Sequence, residues 1–245
     1  MYFNDVHVLW YVLFGLFGML LGQLVEWSNK RLPEYKKFFS KEFFKSKPNY
    51  ILMAIGAILN IALLYRFGLK NELLQNLDLI KFAILTPMLL SALIIDYRLQ
   101  IIPNRLNLTM FEIGLVFAFI SGIININVGI SMLLGMFAGG GLFLLITLIG
   151  GLIAGKEAMG FGDVKLMGAL GLFFGFPNIL IISVIAFLLG AIISVFVLVT
   201  KIKKTDEYIP FGPFIVLACL INIFVPATYL IYILFKIFTL GMFKG

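Results

Sequence analysis

Two aspartates in this chain stand where an acid is costly. Asp96 closes the apolar run Ser91-Ala-Leu-Ile-Ile-Asp96, and Asp163 opens another run just after Gly160-Phe161-Gly162. A carboxylate in or beside a membrane-length apolar segment gives up hydration, so each needs a reason to be there. Two carboxylates that meet at such a boundary can hydrolyse a peptide bond without a metal or a covalent nucleophile. Like charges a few Å apart resist double ionisation, so one keeps a proton near neutral pH. The ionised partner takes a proton from water. The protonated one polarises the scissile carbonyl and then assists the leaving amine. The pair titrates as a unit, so neither role is fixed on Asp96 or Asp163.

The neighbouring residues suit that chemistry. Gly160 and Gly162 flank Phe161 and let the backbone bend and approach another backbone closely. A peptide unwound for cleavage can hydrogen-bond along such a segment in strand-like fashion. A blander account also fits these residues, a glycine turn before a helix with Asp163 as its N-cap. Arg98 and Lys165 each follow an aspartate by two residues, which points them to another helical face. They are expected to reach the headgroups and fix the depth of each carboxylate. Pro103 bars continuation of the helix that carries Asp96 and starts the return span. Glu157 lies just before the glycine segment, and Glu112 falls inside a span, where a structural partner is expected for it.

These residues need helices to position them. The chain is 62% hydrophobic and 13% charged over 245 residues, more apolar surface than a soluble domain of this size can hide. The fold class is an all-α polytopic membrane protein, a single transmembrane domain over residues 1–245. Eight spans are expected, at 8–25, 50–67, 79–95, 106–124, 129–154, 164–176, 179–200 and 211–235. The sixth is short and must lie inside the bundle or continue from a re-entrant loop. Pro87 is expected to kink the third. Two crossings separate Asp96 from Asp163, which returns the chain to one membrane face. The first span has no basic start and no small-residue exit, so it is read as a retained span and not as a signal peptide.

Most of the 19 basic residues fall in loops on one side. The loop 26–49 holds Lys30, Arg31, Lys36, Lys37, Lys41, Lys45 and Lys47. Arg98, Arg105, Lys156, Lys165, Lys201, Lys203 and Lys204 share its side. The positive-inside rule puts these loops and the aspartates in the cytoplasm and both termini outside. Anionic membrane lipid is a compatible partner for the basic loops, and nucleic acid is not expected. The lone His7 and lone Cys219 exclude a Ser-His-Asp mechanism, a thiolate zinc site and an internal disulfide.

Five patches, taken in order, resemble the type IV prepilin peptidase family, a GxGD-type intramembrane aspartyl peptidase. They are Gly22 with Arg31-Leu32-Pro33; Asp96 with Ile102-Pro103-Asn104-Arg105-Leu106; Gly155 through Leu166, which holds the GxGD sequence; Ala169-Leu170-Gly171; and Ile209-Pro210-Phe211-Gly212-Pro213. The combination covers nearly the whole chain and is more specific than any one piece. The resemblance implies that Asp96 and Asp163 are catalytic, with Gly160, Phe161, Gly162, Lys165, Glu157, Arg98 and Pro103 supporting them. It implies a prepilin or pseudopilin substrate with a short basic leader before a hydrophobic helix, cut between the two at the inner-membrane cytoplasmic face. Larger members carry two CxxC pairs in the first cytoplasmic loop, which resemble a zinc site, and methylate the new N-terminus with S-adenosylmethionine. The loop 26–49 has no cysteine, so zinc is not expected and methylation is in question. Gln23 and Glu26 replace the family's usual Ser and Asn. Glu26 then meets the positive leader or sits solvated at the end of its span.

Two rival readings remain. A proton-coupled transporter also uses intramembrane acids and glycine-broken helices, but with acids near mid-depth and paired repeats. A presenilin-like or signal-peptide-peptidase-like enzyme also uses GxGD, but with its first aspartate deep in a span. The Ile-Pro-Asn sequence after Asp96 favours the prepilin type.

Overall fold

A computed structural model describes residues 2–239, apart from 5, 39, 41, 44, 45, 71, 156–158 and 201–208. The chain is an all-α polytopic membrane protein. Among the described residues a two-residue antiparallel hairpin, β1 Tyr2–Phe3 with β2 Val6–His7, precedes eight helices. These are α1 Val8–Arg31, α2 Tyr50–Phe67, α3 Leu73–Leu99, α4 Asn104–Ile124, α5 Ile126–Ala154, α6 Phe161–Thr200, α7 Gly212–Phe224 and α8 Ala227–Phe238. Helix is the backbone's means of pairing its own N–H and C=O groups where lipid offers none. The six helices α1 to α6 are long and apolar enough to cross a bilayer.

The expected sixth and seventh spans are two limbs of α6, joined by a sharp reversal at Gly175. This residue has φ 76° and ψ 171°, a conformation open to glycine, and Pro177 follows it. A methyl group placed on Gly139 of α5 would lie 2.6 Å from Met167 O and 2.8 Å from Ile179 Cγ1. Residues on opposite sides of Gly175 thus pack on one spot of α5, so the limbs run back along each other. The expected span 211–235 is a correction. It divides at Val225 and Pro226 into α7 and α8, neither of which is long enough to cross alone. Pro226 has no N–H to continue the ladder. Pairing it with bundle neighbours makes the short α7 viable: Ile215, Val216, Ala218 and Cys219 are fully buried. In α8 the only buried residue is Leu230.

The reversals sort the helix ends into two groups. The start of α2, the α3–α4 connection and the starts of α6 and α7 lie at one end, called the near end. The end of α2, the start of α3, the α4–α5 junction, Gly175 and the α7–α8 junction lie at the far end. The aromatic contacts Phe67–Phe82 and Phe82–Phe174 tie three of these far-end segments together.

Close packing of α5 on the first limb of α6 sets the height of the near end. A Cβ on Gly171 would fall inside the radius of the Gly135 carbonyl oxygen and carbon. Both obstacles are backbone, so no side-chain rotation relieves them. Gly171→Ala is therefore expected to separate these helices and cost about 1–3 kcal/mol by overpacking. Thermal unfolding in detergent checks it, and an unchanged midpoint would mean that the two backbones are not in contact.

The helices do not all stop at one level. Gly140 of α5 packs on Gly168 and on the carbonyl of Val164, yet α5 continues to Ala154, about 20 Å farther at 1.5 Å per residue. Gly190 packs on Phe211 and Phe214 beside the start of α7, and α6 runs on to Thr200, about 15 Å farther. Phe143 and Thr147 still pack on the bundle, but the outer parts of both overhangs are bare and apolar: Leu152 is 86% exposed, Ile153 83% and Val199 75%.

Candidate active site

Asp96 sits in the last turn of α3. Its backbone carbonyl accepts the N–H of Gln100 at 2.9 Å, and Gln100 closes the helix in the left-handed conformation with φ 56°. The chain then runs Ile101-Ile102-Pro103, and buried Pro103 caps the start of α4 at φ −60° and ψ 131°. Asp163 sits in the first turn of α6, its N–H donating to Gly160 O at 3.0 Å. Both aspartates are 4% exposed.

The α3–α4 connection packs directly on the glycine segment. A methyl group on Gly162 would stand 3.3 Å from Ile102 Cβ. Asn107 of α4, 3% exposed, donates from Nδ2 to Gly162 O at 3.1 Å. The segment that ends α3 is thus clamped to the turn that starts α6. Asp163 does not cap its helix as the blander account has it. It is the third residue of α6, and its Oδ1 is buried without a hydrogen-bond partner, as is Asn107 Oδ1.

Asp96 has the opposite environment. The N–H of Gly212, at the start of α7, donates to Asp96 Oδ2 at 2.9 Å. A Cβ on Gly212 would lie 2.5 Å from that oxygen, so only glycine leaves room for the contact. Sequence reasoning treated Ile209–Pro213 as a helix boundary and missed this donor, and it did not single out Asn107. A signal for Gly212 was present: a glycine between Pro210 and Pro213 at a helix entry offers unpaired N–H groups to an anion.

The supporting residues separate into contacts and bystanders. Lys165 donates from Nζ to Asn104 Oδ1 at 2.9 Å, which links α6 to the start of α4. Phe161 is 57% exposed at the mouth of the segment. Arg98 is exposed. Glu26 is engaged within the protein, 2.6 Å from Lys30 and accepting from Asn49 Nδ2 at 2.9 Å. Glu112 is a correction: it faces outward on α4 and has no partner among the described residues. The buried face of α4 at that height carries Met110, Gly114 and Phe117 instead. Glu157 lies outside the described residues, as do Lys156, Lys201, Lys203 and Lys204. Among the described residues no three His, Cys, Asp or Glu side chains converge as a metal-binding group would.

Comparison with known proteins adds to this geometry. A family model described as the type IV leader peptidase family matches residues 83–195, a stretch that includes both aspartates. The prepilin leader peptidase/N-methyltransferase of Legionella pneumophila is 33% identical over 171 residues, which cover 69% of this chain and 56% of that protein. The protein of the same name from Escherichia coli strain K12 is 33% identical over 134 residues, covering 55% and 58%. The one from Xanthomonas campestris is 30% identical over 197 residues, covering 78% and 65%. The chain spans about half the length of the first of these curated relatives. No solved structure matches it.

Proposed function

This chain belongs to the type IV leader peptidase family, and from that premise we propose that it is an aspartyl endopeptidase that removes the leader from prepilin-like or pseudopilin-like precursors. Asp96 and Asp163 form the catalytic pair. The observation that carries the reading is their placement: two nearly buried carboxylates at the same end of the bundle, each at a helix terminus, with the connection that follows Asp96 packed on the glycine segment that precedes Asp163. Acids at helix ends suit a reaction that needs water. A transporter would want them near mid-depth.

In this reading the precursor's apolar helix lies along the bundle and its leader emerges at the near end, which faces the cytoplasm of an inner-membrane protein. The unwound stretch between them runs along Gly160–Gly162 and exchanges backbone hydrogen bonds with it. One aspartate takes a proton from water as the water attacks the scissile carbonyl. The other, protonated, donates to the carbonyl oxygen, and a proton then passes to the leaving nitrogen. Gly212 holds Asp96 by an N–H donor throughout. No cofactor enters these steps.

Mass spectrometry of a purified prepilin after incubation with the purified chain tests the proposal. A product that has lost the basic leader, and only that, is expected. The same spectrum reports any methyl group on the new N-terminus. An intact precursor, in lipid and under conditions where a relative from Legionella pneumophila cleaves it, would overturn the assignment.

A further inference from the structure

A cavity of about 450 Å³ opens at the far end of the bundle, where the end of α2, the starts of α3 and α5, the Gly175 reversal and the α7–α8 junction converge. Its site on α3 is about 22 Å from Asp96, counted from Lys81 at 1.5 Å per residue, so the peptidase reading makes no use of it. The side chain of Lys81 is only 7% exposed, its ammonium lying 2.6 Å from Asp78 Oδ1 and 4.8 Å from the Phe82 ring. A buried cation at the end of a membrane span is a costly group that asks for a role. An ammonium has three donors, and Asp78 accounts for one. Asn222 Nδ2 is also buried, with no hydrogen-bond partner. Arg66 lines the same cavity from the end of α2.

Among the described residues the lining therefore holds one cation in excess, spare N–H donors and no spare anion. A monoanion rich in acceptor oxygens complements it. The cavity sits among the ends of membrane-crossing helices and has aromatic walls at Phe82 and Phe174, which suit the acyl chains below a headgroup. We infer that this cavity binds the phosphodiester of an anionic phospholipid from the leaflet opposite the aspartates, with Lys81, Arg66 and Asn222 as its donors.

Native mass spectrometry of the full chain in maltoside micelles, titrated with phosphatidylglycerol, tests the site. One retained lipid is expected, in preference to uncharged diacylglycerol. Asn222→Leu and Arg66→Gln should each weaken retention about 10-fold, the scale of one lost charge-assisted hydrogen bond, and Arg66→Lys should largely restore it. Circular dichroism and elution volume identify any variant that fails to fold, and Asn222→Ala replaces Asn222→Leu in that event. Displacement by millimolar inorganic phosphate would assign the cavity to a free anion and overturn the lipid. Undiminished retention by folded Arg66→Gln/Asn222→Leu protein would overturn the site. Prepilin cleavage plays no part in this readout, so failure of the peptidase reading leaves it intact.

Discussion

Asp96→Asn and Asp163→Asn are each expected to cut the rate of precursor cleavage by about 10²–10⁴-fold, the range for loss of an acid–base group. The substitution removes the ability to ionise with almost no change of shape. In Asp96→Asn the amide oxygen still accepts the Gly212 N–H that now reaches Asp96 Oδ2 at 2.9 Å, so the start of α7 stays in place. In Asp163→Asn the fold loses no hydrogen bond at Oδ1, because that atom has none. Both variants should insert and elute as the parent does. Because the two groups act as one unit, the double variant should be no slower than the slower single. Single-turnover cleavage of a fixed precursor measures all three. Full activity in either single variant would remove the dyad, and multiplicative losses in the double would show that the aspartates act in separate steps.

Gly212→Ala is expected to lower turnover by about 10²-fold, the penalty for misplacing a reacting group by roughly 1 Å. The added methyl would stand 2.5 Å from Asp96 Oδ2 and 3.0 Å from its Cγ. Either Asp96 turns away from Asp163 or α7 retreats and the N–H contact is lost. Alanine at a helix start is otherwise harmless, and Pro213 already fixes the first turn. Stability should therefore change little while kcat falls and KM stays near its parent value. A rise in KM with kcat preserved would place Gly212 in substrate binding instead of in the support of Asp96.

Much of this arrangement can be read from residue order. The two crossings between Asp96 and Asp163 are α4 and α5, and Pro103 stands at the start of α4 as its fixed φ suits, although the helix that carries Asp96 has already closed at Gln100. What escaped reading depends on which surfaces meet. Gly135 and Gly139 are four apart, as are Gly18 and Gly22, the spacing that lets two membrane helices touch backbone to backbone. Spacing alone names no partner, and only the folded chain shows Gly135 against Gly171 and Gly22 against Leu52. Asn107 and Gly212 are far from both aspartates in sequence, so a local scan gives them no weight. Pro226 was available as a breaker inside 211–235, but the apolar run on both sides of it outweighed one proline. The partner expected for Glu112 followed the average for intramembrane acids, and its outward placement departs from that average.

The unequal helix ends at the near side have a consequence for the lipid around them. Beside α3 and α4 the apolar wall stops within a turn of Asp96, at Gln100 and Asn104. Beside α5 and α6 it runs on about 20 Å past Gly140 and about 15 Å past Gly190. A bilayer touching both walls cannot have one thickness, and hydrophobic mismatch is relieved by thinning on the low side. Water then dips toward the aspartates from that side, so an arriving helix needs to be lifted less to wet its end. Longer-chain lipids should oppose that dip and slow the enzyme, whereas shorter ones deepen it.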